Sequence, residues 1–454
     1  MVRIRSRMDR TTFGLRVSVV EGIFAQIHIN LTSGLFLTSL ALYIGLNNVG
    51  IGLLSSIPAF FTGFAFLSVY LAKFMKSRRT LCVVFSGFGR GVFLVLALML
   101  LLNIHVDHGL FFMLIVVHNI FMSLSGNAWL SWMSDLVPRE VRGRYFGIRN
   151  TILSATGMVV NVVGGRILDA YELLGSLGRG LGLLYAGASA SSTIAAGVLR
   201  AQPEPPMPKK TPRITQVFLS PLTDKNFKNL LRFVSFWYLL AGIASPFYLV
   251  HMLTNLDMSY SKIAFYSIVA SVTSLVFQIL WGRAIDRFKS KPVLTMNFFC
   301  AAFLPAIWLF ASKNQLLPIW IDAFFTGIFW SGINLSLFSI LFSLTEDKDL
   351  KESYFAVFST LSGVFGFVAS LCGGFIAQAL TTVKIHVFGL TLINYHLLFL
   401  FATCARLCSL FFLATVKETG AYPTTVAVQL MGDYALRRLV IYKDLVLNTL
   451  RFQK

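Results

Sequence analysis

Long apolar stretches separated by short polar segments repeat along nearly the whole chain. An apolar run of about 18 residues or more is long enough to cross a lipid bilayer as a helix. Because the bilayer interior offers no water to the backbone, each such segment must satisfy its own peptide hydrogen bonds, and a helix does so. The pattern predicts twelve transmembrane helices, at about 17–44, 49–72, 80–102, 110–133, 147–170, 178–200, 230–254, 262–284, 292–311, 316–343, 354–382 and 388–416.

One polar segment divides these spans into two groups of six. Residues 201–229 hold six of the thirteen prolines, which is typical of a linker. The two groups also repeat, since YFGIRNTILSATGMVVNVVGGRI (145–167) and YFAVFSTLSGVFGFVASLCGGFI (354–376) share their first two residues and a Gly-Gly pair at the same spacing. We therefore predict an all-α membrane protein of two six-helix halves, 1–200 and 230–416, joined by a cytoplasmic linker (201–229) and followed by a cytoplasmic amphipathic tail (417–454).

The composition agrees with a membrane protein. Of the 454 residues, 56% are hydrophobic and 13% are charged, about half of the roughly 25% charged share of soluble domains. This excludes a disordered chain and disfavours a soluble enzyme. The net charge of +20 comes from lysines and arginines that collect in alternate loops, which places those loops and both termini in the cytoplasm. We therefore interpret the charge as membrane topology rather than nucleic-acid binding, and expect a multi-pass protein of a bacterial inner membrane.

The loop after the eighth span, WGRAIDRFKSKPVL, carries a glycine, an Asp-Arg pair and a basic cluster. This arrangement resembles the loop signature of the major facilitator superfamily. The equivalent N-half loop, VYLAKFMKSRRTL, has Lys73 in the place of the acid. The resemblance implies that the acid and arginine form a cytoplasmic gate latch against the start of the eleventh span. The matching positions are Gly282, Asp286, Arg287 and Lys291.

A second motif, DLVPREVRGRYFG, lies between spans 4 and 5 and resembles the same superfamily. Proline ends a helix, glycine permits a tight turn, and arginine can cap the end of span 4. The resemblance covers about residues 15–416. It implies a secondary transporter that moves a small solute by alternating access, coupled to H⁺ or Na⁺, and it implies no cofactor. The matching positions are Asp135, Pro138, Arg142, Gly143 and Gly147.

Two other signatures of the superfamily are missing. Met122 stands where span 4 would carry an arginine, and Val160 and Asn161 replace the Gly-Pro pair of proton-driven drug antiporters. A drug antiporter therefore loses support, and a strictly anionic substrate is less favoured. The candidate cavity has one acid from each half, Glu21 and Asp322, and one deep arginine, Arg90, so it shows no strong preference for an anion or a cation.

Polar residues inside the spans are the candidates for the transport site. A charge at the middle of a bilayer costs roughly 2.5–3.5 kcal/mol on insertion scales, so its presence indicates a function. In the superfamily, spans 1, 4, 7 and 10 line the central cavity, and much of the polarity of this chain lies on those spans. We take Glu21 and Asp322 as candidate ion-coupling carboxylates. The full set of cavity candidates is Glu21, His28, Arg90, His118, Asn119, Asn127, Trp237, His251, Asp322 and Asn334.

Structural interpretations of the same residues stay open. Glu21 and Arg90 could form a salt bridge, the histidines could be packing residues, and the asparagines could join helices by hydrogen bonds. The seven histidines are scattered, which disfavours a membrane enzyme, and no metal site is expected. A lipid flippase or a non-transporting sensor on the same fold remains an alternative, since a fold does not determine function. We expect a monomer.

Overall fold

The computed structural model describes residues 2–138, 141–206, 221–345, 351–387, 390–430 and 432. Most of the predicted linker (207–220) and the amphipathic part of the predicted tail (433–454) lie outside the described residues, as do the inner-loop positions Arg139, Lys209, Lys210, Arg213 and Lys348. The described residues of the first half form eight helices. They are α1 (Val2–Leu31), α2 (Gly34–Tyr43), α3 (Asn48–Thr62), α4 (Leu67–Phe74), α5 (Arg78–Leu101), α6 (His108–Leu136), α7 (Arg142–Leu173) and α8 (Leu177–Arg200).

The second half follows the same plan. A short 3₁₀ turn, Pro221–Thr223, precedes the first helix of this half, and a second 3₁₀ turn, Trp308–Phe310, follows the short helix Leu304–Ile307. A two-stranded hairpin lies before the last long helix. The elements are α9 (Lys225–Ala241), α10 (Phe247–Thr254), α11 (Tyr260–Phe288), α12 (Ser290–Ala302), α13 (Leu304–Ile307), α14 (Leu317–Thr345), α15 (Lys351–Ala379), β1 (Ile385–Val387), β2 (Leu390–Leu392) and α16 (Asn394–Ala414).

These helices confirm the predicted membrane fold. Among the described residues, ten helices are long and apolar enough to cross a bilayer, and α3 with α4, which meet at a bend of 60°, supply an eleventh span. The predicted seventh span, 230–254, consists of α9 and α10 with a break between them. Pro58 lies inside α3 and Pro246 directly precedes α10. Because proline lacks an N–H group and clashes with the preceding turn, both residues favour such interruptions.

The predicted start of the last span at residue 388 is wrong. Residues Ile385–Val387 pair antiparallel with Leu390–Leu392, and α16 begins only at Asn394. The sequence IHVFGLTLI is rich in β-branched residues, which fit an extended strand. Hydrophobicity alone therefore extended the span into a segment whose side chains prefer a hairpin.

The helices run between two ends of the bundle. The described loop residues at one end, called here the basic end, are 75–77, 137–138, 201–206 and those around Lys289. The other end, called the opposite end, holds the loop residues 44–47, 102–107, 174–176, 255–259, 311–316, 380–387 and 390–393. Each half begins and finishes at the basic end.

In each half, a glutamate caps the start of a helix at the basic end. In the first half, Glu204 accepts hydrogen bonds from the backbone N–H of Arg78 (2.6 Å) and the hydroxyl of Ser77 (2.7 Å) at the start of α5. In the second half, Glu418 accepts from the backbone N–H groups of Ser290 (3.2 Å) and Lys291 (2.6 Å) at the start of α12. A carboxylate satisfies unpaired N–H groups there and interacts favourably with the helix dipole.

Replacing either cap should lower the stability of the half that it closes. We expect Glu204→Ala and Glu418→Ala each to cost about 1 kcal/mol, because helix caps contribute roughly 0.5–2 kcal/mol. Thermal unfolding of the purified protein in detergent measures the effect. Glu172→Ala is the control, since this exposed glutamate near the end of α7 caps no helix start. Equal melting temperatures for all three variants would show that the caps contribute nothing.

Candidate functional site

The two halves are tied together at the opposite end by Asp169. Its carboxylate, on α7, accepts hydrogen bonds from the backbone N–H groups of Tyr260 (2.7 Å) and Ser261 (3.1 Å). These groups belong to the first turn of α11 in the other half. A negative charge at a helix N-terminus is stabilising, by up to about 2 kcal/mol when partly buried. Asp169 therefore links the two halves, and the strength of this link depends on the negative charge of its carboxylate.

A second contact between the halves joins α3 to α15 and α16. Asn48 accepts a hydrogen bond from the hydroxyl of Tyr395 (2.6 Å), and its backbone N–H donates to the side chain of Gln378 (3.2 Å). One turn further along α3, a Cβ atom on Gly52 would lie 2.5 Å from the carbonyl oxygen of Ser370. Only glycine allows this approach of the two backbones. The opposite end is thus packed and hydrogen-bonded across the halves.

Inside the first half, three charged residues meet between α1, α5 and α7. The carboxylate of Glu21 lies 3.8 Å from a guanidinium nitrogen of Arg90 and 3.9 Å from one of Arg149. All three side chains are buried, and Arg149 also lies 4.5 Å from the ring centre of Trp129. Two arginines on one carboxylate leave a net positive charge in this cluster. The predicted pairing of Glu21 with Arg90 is therefore present, with Arg149 as an additional partner.

Two histidines lie beside this cluster, inside the first half. Nδ1 of His28 is 3.1 Å from the carbonyl oxygen of Ala188, and Nδ1 of His118 is 2.8 Å from that of Gly89. The two rings are 6.0 Å apart, and Phe93 packs edge-on against both. His28 is fully buried. Their contacts are those of packed, hydrogen-bonded histidines within one half of the bundle.

The second half holds a cavity of about 290 Å³. The carboxylate of Asp322 faces it and accepts a hydrogen bond of 2.6 Å from the hydroxyl of Tyr266. Asp322 is 2% exposed, and among the described residues no cation lies within 4.0 Å of its carboxylate. Aromatic side chains form much of the wall. The lining also includes Tyr248, Ser267, Trp308, Thr326, Trp330 and Arg406.

Arg406 is the cation of this cavity. It lies on α16 and is 5% exposed. Its Nη1 donates to the carbonyl oxygen of Ala301 (3.0 Å), and its Cζ lies 5.4 Å from the ring centre of Trp237 and 5.8 Å from that of Trp330. Its Nε has no hydrogen-bond partner. The cavity thus contains one acid and one base.

A second, smaller cavity of about 200 Å³ lies between the halves. The first half contributes the amides of Gln26, Asn30 and Asn161, and α11 contributes the hydroxyls of Ser267 and Ser271. Asn30 donates to the side-chain oxygen of Asn161 (3.1 Å) and accepts from Gln26 (2.5 Å). Because Ser267 lines both cavities, they are neighbours. Together they offer amides and hydroxyls on one side and aromatic rings, an acid and a base on the other.

The face of α1 that meets the other half is not the face that carries the cavity candidates Glu21 and His28. Glu21 and His28 were expected to border the central cavity, but both point into the first half, where Glu21 is matched by two arginines. The face that carries Gln26 and Asn30 meets the other half instead. Of the cavity candidates, Asp322 lines the larger cavity directly, and Trp237 lies behind its wall, against Arg406.

The candidates Asn119 and Asn127 lie outside both cavities and form hydrogen bonds within the helix bundle. Asn119 donates to the carbonyl oxygen of Ile115 in its own helix (2.8 Å). Asn127 donates to the hydroxyl of Ser68 (2.7 Å) and to the carbonyl oxygen of Ala65 (3.0 Å), and so joins α6 to the α3–α4 segment. Asn127 therefore joins helices by hydrogen bonds, which is the alternative to a transport role considered for the asparagines.

The last two candidates, His251 and Asn334, have different surroundings from those of Asn119 and Asn127. The His251 ring is buried 5.1 Å from that of His396, and neither of its nitrogens has a hydrogen-bond partner among the described residues. Asn334 is exposed. Asp322, Thr326 and Trp330 line the larger cavity at intervals of four residues along α14. Asn334 lies one turn further toward the basic end and is not part of the cavity lining.

The motif between spans 4 and 5 stabilises the end of α6. Asp135 pairs with the buried Arg78 of α5 (2.6 Å), and Pro138 follows the end of α6. Arg142 donates to the carbonyl oxygen of Ser134 (2.6 Å), as expected for a residue that caps the end of span 4. The expectation of a turn at the glycines is wrong. Gly143 and Gly147 lie within α7, and a Cβ atom would meet nothing within 4 Å at either position.

The motif after span 8 lies at the end of α11, at the basic end. Gly282 is inside the helix, and Asp286 and Arg287 are exposed. Among the described residues, no cation lies within 4.0 Å of the Asp286 carboxylate, and the Arg287 guanidinium lies 5.3 Å from the ring centre of Phe288. The side chain of Lys291 donates to the carbonyl oxygen of Ala414 (3.1 Å). Within the part of the chain that the structure describes, which leaves out 346–350, Asp286 makes no hydrogen bond to the eleventh span in this conformation.

The sequence interpretation missed several residues of these sites. Arg406 lies in the middle of an apolar span, and the rule that identified Arg90 would have found it. Arg149 lies two turns inside α7, close in sequence to the arginines of the loop that precedes it. Tyr266 and Trp308 carry no distinctive sequence signal. Within the described ranges, no three His, Cys, Asp or Glu side chains are grouped so that they could hold a metal ion.

Comparisons with known proteins agree with this architecture. A family model described as Major Facilitator Superfamily matches residues 22–370 and 238–430. Solved structures with the same fold include a variant of the nucleoside transporter NupG (TM-score 0.69, 12% identity, covering 88% of this chain and 100% of that one). Another is a variant of the E. coli fucose:proton symporter FucP (TM-score 0.58, 14% identity, 90% and 100% covered). A comparison with curated protein sequences finds no match.

A third similar structure has its conformation specified. It is a bacterial homolog of the human lysosomal transporter Spinster in an inward-facing and unoccupied conformation, with a TM-score of 0.59 and 13% identity. The alignment covers 90% of this chain and 94% of that one. At these identities, the likeness to solved structures shows the fold alone.

Proposed function

Because the chain belongs to the major facilitator superfamily, we propose that it carries a small polar solute across a membrane by alternating access, driven by a proton gradient. The observation that carries this proposal is a buried acid, Asp322, in a cavity deep in the bundle, next to a second cavity between the halves. Carriers of this type bind their solute between two halves that rock against each other. Two of the similar structures are a nucleoside transporter and a fucose:proton symporter, whose solutes are small and polar.

The basic end is proposed to face the cytoplasm, because lysine and arginine are enriched in cytoplasmic loops. The contacts made by Asp169 and Asn48 then close the outer side. Asn334, one turn beyond Trp330 toward the inner side, is exposed. We therefore propose that the structure represents the inward-facing state. The latch at Asp286 would form in the outward-facing state, in which the inner ends meet, and it stays a prediction.

The topology can be tested with reporter fusions. A reporter after residue 46 should be active only outside the membrane, and one after residue 210 only inside. The reason is that 46 belongs to a loop of the opposite end, whereas 210 belongs to the basic linker. Fusions after residues 104 and 176 serve as further outer positions. A cytoplasmic signal at 46 or an external one at 210 would contradict the orientation.

Asp322 is the better candidate for the proton-binding carboxylate. Glu21 pairs with two arginines inside the first half and lines neither cavity. Asp322 accepts a hydrogen bond from the neutral hydroxyl of Tyr266 and lines the larger cavity, and among the described residues no cation lies within 4.0 Å of its carboxylate. A carboxylate can bind a proton in one facing state and release it in the other if its hydration changes.

The outer contact of Asp169 should hold the carrier in the inward-facing state. Asp169→Ala removes the charge at the start of α11 and should shift the population toward the outward-facing state by roughly fivefold, for about 1 kcal/mol. The measurement is labelling of a cysteine at position 267, in the cavity, by an impermeant maleimide added outside, in a background without native cysteines. Labelling should accelerate. Glu172→Ala is the control, and unchanged labelling would exclude a gating role.

Solute counterflow in proteoliposomes tests the transport function itself. Purified full-length protein should exchange a labelled solute against an internal pool of the same solute, and empty liposomes should not. Uridine, fucose, amino acids and monocarboxylates form a suitable first panel. Movement of labelled phospholipid between leaflets, with no solute exchanged, would instead support the flippase alternative.

A further inference from the structure

Arg406 is a buried cation without a counter-charge in direct contact. Its side chain is 95% buried in the middle of α16 and lines the larger cavity, yet among the described residues no carboxylate lies within 4.0 Å of it. One of its five N–H donors is used by the carbonyl oxygen of Ala301, and its Nε has no partner. An unpaired guanidinium inside a membrane is costly, so its presence indicates a function.

We propose that the solute of this carrier is a small organic carboxylate and that Arg406 binds its carboxylate group. This inference rests on the proposed transport function. A guanidinium presents parallel N–H donors whose geometry matches the two oxygens of a carboxylate. Such a pair satisfies donors that the chain leaves free, and it neutralises the charge of Arg406. A sugar or a nucleoside could accept hydrogen bonds from Arg406 but has no negative charge to pair directly with the guanidinium.

The walls of the cavity define the rest of the solute. The guanidinium lies near the rings of Trp237 and Trp330, which support the cation and leave its donors available. Tyr248, Trp308 and Trp330 form an aromatic surface around the space next to it. The volume of about 290 Å³ is at the lower limit of ordinary ligand pockets, which hold roughly 300–1,000 Å³. A short aliphatic or single-ring body fits this surface and this size.

The charges of the cavity also determine how the carboxylate and the proton are coupled. The groups that face Asp322 are Arg406 from α16, Tyr266 from α11 and Tyr248 from α10. Both tyrosines are neutral near pH 7, since their reference pKa is about 10. The empty cavity, with Asp322 ionised and Arg406 charged, therefore has no net charge. Binding the carboxylate alone makes it negative, and binding the proton alone makes it positive.

Only two loading states are then neutral, the empty cavity and the cavity with both the carboxylate and a proton on Asp322. A net charge inside the bilayer is costly, so these two states should move between the facing conformations more readily than the half-loaded ones. The result is transport of one proton with each carboxylate. The amides and hydroxyls of the smaller cavity are placed to bind polar substituents of the solute.

The test is ligand-dependent thermal stability of the purified full-length protein. A ligand that binds only the folded form raises the melting temperature. The probes are matched pairs of a carboxylate and its neutral amide: acetate and acetamide, butyrate and butyramide, benzoate and benzamide, phenylacetate and phenylacetamide. Uridine and fucose represent neutral solutes of other classes. We expect at least one carboxylate to raise the melting temperature at concentrations where its amide has no effect.

Variants assign the effect to Arg406. Arg406→Gln should weaken the binding of that carboxylate more than tenfold, and Arg406→Lys, which keeps the charge but not the fork of donors, should weaken it less. Arg166→Gln, at an exposed arginine of α7, is the matched control and should leave binding unchanged. If Arg406→Gln does not fold, the lysine variant and competition between each acid and its amide on the parent protein still decide the outcome.

The inference is overturned if no carboxylate of the panel stabilises the protein, if an amide stabilises it as well as its acid, or if Arg406→Gln or Arg406→Lys binds like the parent. The proposed function has a separate outcome. If uridine or fucose is exchanged in proteoliposomes while no carboxylate competes, the carrier function stands and the carboxylate assignment fails. If no solute of any class is exchanged, the transport function fails as well.

Discussion

Replacing Asp322 by asparagine is expected to abolish proton-driven accumulation of solute while leaving the protein folded. Asparagine keeps an oxygen that can accept the hydrogen bond from Tyr266, but it cannot take up a proton in the physiological range. A gradient of about one pH unit can drive roughly tenfold accumulation with one coupled proton, because each unit corresponds to about 1.4 kcal/mol. In Asp322→Asn, the internal and external concentrations should become equal. Uptake of labelled solute into proteoliposomes with an imposed pH gradient measures this ratio.

The matched control for this experiment is Asp257→Asn. Asp257 is exposed in a loop of the opposite end and pairs with Lys313 (2.5 Å), away from both cavities. This variant should accumulate solute like the parent. Energy-independent counterflow should persist in Asp322→Asn, which distinguishes a loss of coupling from a loss of binding. Full accumulation by Asp322→Asn would remove this residue from the coupling mechanism.

Replacing Glu21 by glutamine is expected to destabilise the first half strongly. Glu21 supplies the negative charge next to Arg90 and Arg149, both of which are buried. Removal of one partner of a buried ion pair commonly costs about 3–5 kcal/mol, because the remaining charge stays buried and uncompensated. We expect the largest loss of thermal stability among the single carboxylate variants discussed here. The measurement is thermal unfolding in detergent, followed by size-exclusion chromatography.

A double variant separates the charge effect from a packing effect. Glu21→Met with Arg90→Met removes one buried charge of each sign, so it should recover part of the stability that Glu21→Gln loses. Glu172→Gln, at an exposed glutamate, is the control. If Glu21→Gln is as stable as the parent but loses accumulation, Glu21 rather than Asp322 is the coupling carboxylate. That result would reverse the roles assigned to the two acids.

The fold could be predicted because the bilayer imposes a strong constraint on the sequence. A span needs a long apolar run, and two runs of six around a proline-rich segment define two halves. The errors lie where local preference opposes hydrophobicity. The hairpin at 385–392 replaced the start of a span because its residues favour strands. The breaks near Pro58 and Pro246 follow from proline, but their angles depend on packing.

The site was harder to predict because helical periodicity defines faces and not neighbours. The periodicity of the first span separates Glu21 and His28 from Gln26 and Asn30, but it does not say which face meets the other half. The two arginines that attract Glu21 come from distant parts of the chain, at positions 90 and 149. Asp322 could be found because a carboxylate inside an apolar span is unusual. The same argument identifies Arg406, on which the proposed carboxylate solute rests, whereas the sequence interpretation made a strictly anionic substrate less favoured.

The most direct test of proton-coupled transport by this chain is solute-dependent proton movement in proteoliposomes that contain the full-length protein. A pH-sensitive dye outside the vesicles reports protons that enter with the solute when no pH gradient is imposed. A transported solute should alkalinise the medium, the signal should be absent from empty liposomes, and Asp322→Asn should abolish it. Exchange of the same solute by the parent protein with no proton movement would contradict proton coupling through Asp322.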